Sequence, residues 1–195
     1  MRRALVLLPV VLVTACAAGT NRAYTPRDAP PATGSASAAA AVKAPETETI
    51  EVGSKLTVRV EWPAAPDPML RTFTDYYVRS WKAVVAADDA YLETVEGPAA
   101  REAYAWVRGF RGRTVTGVAT IYALNVSAVM GEGAQLNACV DETGLRLISR
   151  RTGEPEARQP TWTRAAYLQA VVTHRGDDGL WRVKDFRHSD EGCDR

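Results

Sequence analysis

The sequence predicts an α+β domain, with helices packed on one face of a curved antiparallel sheet, preceded by a leader and a spacer. Three observations predict it. Apolar residues recur at spacings of three and four between positions 70 and 110. From Thr114 the pattern changes to long runs rich in Val, Ile, Thr and Tyr. Between the apolar leader and position 50, large apolar residues are nearly absent. At 195 residues, 46% apolar and 24% charged, the chain has room for one ordinary globular domain plus a tail. Its 24 basic and 23 acidic side chains nearly cancel, which argues against a dedicated nucleic-acid binder.

Met1-Arg2-Arg3 and the apolar stretch Ala4 to Val13 read as a secretory signal over residues 1–15. The stretch is too short to span a bilayer, which takes about 20 residues. Val13-Thr14-Ala15-Cys16 has the aliphatic, small, small, Cys order of a bacterial lipobox. Cys16 is therefore expected to carry a diacylglyceryl group and to become the new N-terminus, anchoring the protein at the outer face of the cell membrane. The plainer reading is an ordinary signal with an incidental Cys. Residues 16–49, with Thr25-Pro26-Arg27-Asp28, Pro30-Pro31 and Gly34-Ser35-Ala36-Ser37, read as a disordered tether reaching about 30 Å.

The domain is expected over 50–195. Leu56, Val58, Val60 and Trp62 alternate with polar residues, the period of a half-buried strand. Asp67-Pro68 reads as a helix start. Leu70, Phe73, Tyr77, Trp81 and Val84 then form one apolar face, and the helix ends near Asp88-Asp89. A helical turn follows over Ala90 to Val95. Gly97-Pro98 opens a second helix, stopped by Gly109 and Gly112. Strands are expected at Val115 to Met130, Ala134 to Val140, Leu145 to Ser149, Trp162 to His174 and Leu180 to His188. A tight turn at Gly176-Asp177-Asp178-Gly179 sets Val172 beside Val183 and His174 beside Trp181.

This order resembles the nuclear-transport-factor-2-like superfamily, a cone with a pocket between its first helix and its sheet. It resembles more closely the secreted actinobacterial lipoproteins of unknown function that carry such domains. The features that carry the resemblance are the lipobox at Cys16, Glu61-Trp62-Pro63, Asp67-Pro68, Tyr77 with Trp81, Cys139, Leu180-Trp181-Arg182-Val183 and Cys193. It covers roughly residues 56–193 and implies a fold but no activity.

Motifs for zinc hydrolysis, phosphate binding and serine hydrolysis are absent. Gly131-Glu132-Gly133 lacks the third glycine of a dinucleotide site, and Asn125-Val126-Ser127 reads as strand. His174 and His188 fall on opposite faces of their hairpin and cannot share a metal. No cofactor or metal is expected. Asp88 falls about 60° round the helical wheel from Phe73, on the stripe of Leu70 and Trp81. At a helix C-terminus in a pocket it would serve as a general base; the plainer reading is a helix end in solvent. Tyr76, Tyr77, Trp81, Trp106 and Tyr122 could line an apolar pocket, though aromatics at helical spacing are more often core. With Cys16 consumed by lipid, Cys139 and Cys193 are the remaining thiols in a compartment that permits oxidation, and a disulfide between them is expected. The alternative is a buried free Cys139 and a Cys193 loose in a polar tail.

The leading expectation is a non-catalytic, membrane-tethered extracytoplasmic module that binds a protein or a small apolar ligand. The rival is a cone-pocket enzyme of isomerase or cyclase type using Asp88.

Overall fold

A computed structural model describes residues 46–193. The leader, Cys16 and the tether up to position 45 lie outside the described residues. Order begins with a hairpin of β1 (Glu46–Gly53) and β2 (Leu56–Trp62). Strand β1 thus starts four residues inside the stretch read as tether. It is an edge strand in which only Val52 is fully buried. Glu48 accepts a 2.8 Å hydrogen bond from the indole of Trp62, tying the two strands together.

Helix α1 (Leu70–Ala86) follows. The Asp67 carboxylate accepts from the Met69 amide at 2.8 Å, and the Leu70 amide donates to the Asp67 carbonyl at 3.0 Å, so the chain enters the helix through a capped turn. The apolar stripe from Leu70 to Val84 is buried. At the far end Ala87 takes a left-handed conformation with φ 58°. The Arg150 guanidinium caps this end, donating to the carbonyls of Val84 at 2.7 Å and Val85 at 3.0 Å. A 3-10 turn (Asp89–Thr94) leads to α2 (Gly97–Gly109).

The remaining strands are β3 (Arg113–Met130), β4 (Gly133–Asp141), β5 (Leu145–Ser149), β6 (Tyr167–Arg175) and β7 (Trp181–Gly192). The described residues form one seven-stranded sheet in the order β1-β2-β3-β4-β6-β7, with β5 paired to β3. The chain is therefore α+β, but the sheet is not wholly antiparallel: β2 runs parallel to β3, Leu56 facing Gly117 and Val60 facing Ile121. A parallel neighbour needs a crossover, and α1 with α2 supplies it.

Strand β3 changes partner along its length, pairing with β5 at Arg113 to Gly117 and with β4 from Thr120 onward. The change occurs where two glycines cross. A Cβ on Gly117, which has φ 114°, would sit 2.1 Å from the Gly144 carbonyl oxygen, and one on Gly144 would sit 2.5 Å from that of Val118. Only glycine fits at this crossing. The break between β4 and β5 is the segment Glu142-Thr143-Gly144.

Two further sequence expectations need correction. Trp162 lies in a 3-10 turn (Thr161–Thr163), and the strand begins only at Tyr167, because two Pro precede and the Thr163 hydroxyl bonds back to the Pro160 carbonyl at 2.8 Å. The β6–β7 register also differs. Thr173 faces Val183 and His174 faces Arg182, while Val172 faces Asp185, so a bulge takes up the extra residue.

The core lies between α1 and the sheet. Trp81 is at its centre, fully buried, with ring centroids 4.9 Å from Trp106, 5.3 Å from Phe110 and 5.9 Å from Trp162.

Candidate functional site: a buried acid in an aromatic cavity

A cavity of about 250 Å³ opens between α1, α2 and the sheet. Tyr76, Tyr77 and Ser80 come from α1; Glu102 and Trp106 come from α2. Trp162 comes from the 3-10 turn, Tyr167, Leu168 and Gln169 from β6, and Phe186 and Arg187 from β7. Glu142, at the break between β4 and β5, completes the wall.

Glu142 is the unusual group. Its residue surface is only 3% exposed. The Tyr77 hydroxyl donates to Oε1 at 2.5 Å and the Tyr167 hydroxyl donates to Oε2 at 2.9 Å. The glycine crossing explains the placement. Where β4 gives way to β5 the chain leaves the regular pleat, and residue 142 turns inward while Asp141 stays outside, bonded to the Thr143 amide at 3.0 Å and hydroxyl at 2.7 Å. Burial raises the Glu142 pKa to about 7, against the pull of the two tyrosine hydrogen bonds and the Trp81 indole; the nearby Asp141 charge adds to the rise. Trp81 Nε1 itself completes no hydrogen bond of ordinary geometry, and neither does the buried Ser80 Oγ. Burial pushes the Tyr77 and Tyr167 hydroxyls up as well, and the Glu142 charge adds to both. Among the described residues no cationic side chain forms an ion pair with Glu142. Arg187, at the cavity wall, is paired with Asp185 at 3.1 Å.

The residues singled out in the sequence fall in several places. Tyr76, Tyr77 and Trp106 line the cavity. Trp81 is behind the wall, in the core. Tyr122 is on the other face of the sheet: it faces Cys139, and its hydroxyl reaches the Cys193 carbonyl at 3.5 Å. A bulge at Ala123, with φ 51°, accompanies this turn outward. Asp88 is exposed and caps the 3-10 turn by accepting from the Ala90 amide at 2.9 Å. It is not among the cavity residues, because Ala87 breaks the helical phase on which the stripe assignment relied. His174 Nδ1, near the C-terminal end of β6, lies 3.1 Å from Glu96 Oε1. A disulfide joins Cys139 and Cys193, with Cα atoms 5.8 Å apart. No cluster of metal-ligating side chains occurs among the described residues.

Sequence reasoning missed Glu142, Tyr167 and Trp162. Asp141-Glu142-Thr143-Gly144 has the composition of a solvated turn, and only the pairing of β3 with two strands reveals that one of its acids points inward.

No family model matches the chain, and no curated protein matches it. The crystal structure of the intermembrane space region of the chloroplast protein ARC6 is similar over 63% of this chain and 97% of that one. The identity is 14% and the TM-score 0.41, a likeness that carries no functional argument. Fold and site together define a mixed α+β domain with an aromatic cavity built around one buried acid.

Proposed function

We propose that this chain is a membrane-anchored extracytoplasmic binding module. In this reading a diacylglyceryl group on Cys16 tethers a nuclear-transport-factor-2-like cone, and the cavity between α1 and the sheet takes a small ligand with an apolar body. The observation that carries the reading is the cavity itself: aromatic walls with polar groups among them, the common make-up of a small-molecule site. A concave site of this size favours a small ligand over a protein partner.

A second reading, an acid–base enzyme, is favoured by one observation. Glu142 is an acid with a pKa of about 7 in a cavity wall, suited to proton transfer in a way that the exposed Asp88 is not.

The binding reading is tested with the full chain and the neutral apolar probe N-phenyl-1-naphthylamine. Saturable fluorescence enhancement at one site per chain is expected, weakened about tenfold by Trp106→Ala, which removes one wall. Non-saturable enhancement, or a Trp106→Ala curve that overlays the parent, would count against it.

A further inference from the structure

We infer that the cavity takes an organic cation, an aryl or alkyl ammonium, whose charge sits between the Glu142 carboxylate and the surrounding aromatic rings. The inference rests on the cavity being a ligand site and adds the chemical class.

Four features of the cavity point the same way. First, Glu142 carries a buried carboxyl with two tyrosine donors and, among the described residues, no cationic side chain paired to it. A buried carboxylate without a counter-charge is costly, and a bound cation would supply one. Second, the walls are rings. Trp106, Trp162, Tyr76 and Phe186 line the space, and the negative face of an aromatic ring attracts ammonium groups, tryptophan most strongly. Third, the wall shows no surplus of positive charge: among the described residues its one cationic side chain, Arg187, pairs with Asp185 at 3.1 Å. Fourth, Ser80 lines the same space, and its hydroxyl oxygen is an acceptor for an ammonium N–H.

Binding then depends on pH. The groups facing Glu142 are the Tyr77 hydroxyl from α1, the Tyr167 hydroxyl from β6 and the indole of Trp81, with Asp141 beside it in the chain and Glu102 and Arg187 across the cavity. Burial pushes the Glu142 carboxyl up to about 7. A cation favours its ionised form, so affinity rises with pH through about 7 and binding below that releases a proton.

The test is calorimetric titration of the full chain with phenyltrimethylammonium and with its neutral isostere tert-butylbenzene, at pH 6 and pH 8. At pH 8 the cation is expected to bind at least about tenfold more tightly than the isostere. Its affinity falls about tenfold at pH 6, while that of the isostere holds. Glu142→Gln should abolish both the cation preference and its pH dependence yet still bind tert-butylbenzene, which shows that the cavity is intact. Trp162→Leu, with Glu142 present, should weaken the cation more than the isostere. Equal affinity for the two ligands, or a preference that survives Glu142→Gln, overturns the inference and leaves the binding reading standing. If neither ligand binds, the binding reading falls and this inference with it.

Discussion

Glu142 makes the stability of the protein depend on pH in the direction opposite to most carboxylates. Its folded pKa of about 7 lies above the ordinary 4.5, because burial favours the neutral acid. The folded state therefore holds a proton that the unfolded chain has already lost over that interval. Its stabilising contribution is fully present below about 4.5, falls as pH rises, and is gone above about 7. At 1.36 kcal/mol per pH unit the interval is worth about 3 kcal/mol. Urea unfolding of the ligand-free chain at pH 5, 6 and 7.5 should show this decline, and Glu142→Gln should remove most of it. Parallel pH profiles for the two proteins would mean that Glu142 is better solvated than its burial implies. Nothing in the sequence distinguished Glu142 from Asp141, since both sit in a polar turn and only long-range pairing separates them.

At the level of elements, what was legible in the sequence is what is local. The stripe of Leu70, Phe73, Tyr77, Trp81 and Val84 gave α1, and the alternation of Leu56 to Trp62 gave β2. Strand β1 was hidden because an edge strand buries little; its inward positions Glu48, Ile50 and Val52 include a charged residue. The β6–β7 register was misread because a bulge has no signature in apolar spacing. The change of partner along β3 was equally invisible, although its two glycines were in plain view. Gly117→Ala should destabilise by more than about 2 kcal/mol, because the new methyl meets a backbone carbonyl that cannot rotate away. Gly131→Ala, at a hairpin tip with φ 56° and open space around the site, is the control for backbone strain alone. Equal losses at the two positions, read from urea midpoints, would show that the crossing adds nothing beyond φ.

Two long-range links of different kinds help to hold the described residues together. One is the Cys139–Cys193 disulfide, which closes a separation of 54 residues and, in chain-entropy terms, contributes about 4 kcal/mol. It joins β4 to the end of β7, so the C-terminal strands form a closed unit together with the wall residues Tyr167 and Phe186 that they carry. The other link is the parallel seam, where Leu56 meets Gly117 across 61 positions. By contrast Arg175 and Trp181, which close the β6–β7 hairpin, are six positions apart. This difference sets an order of events in time. Closing a long loop costs entropy before any contact offsets it, so the meander from β3 to β7, already cross-linked when oxidised, assembles first and the β1–β2 hairpin docks onto a formed surface. Val58 and Val171 are both fully buried, one on each side of that division. In stopped-flow refolding of the oxidised chain, Val171→Ala should slow folding, whereas Val58→Ala should leave the folding rate close to that of the parent and speed unfolding instead. Equal slowing by both would mean that the seam closes in the rate-limiting step. With the expected order, the N-terminal hairpin is the last part of the chain to commit and the first to let go.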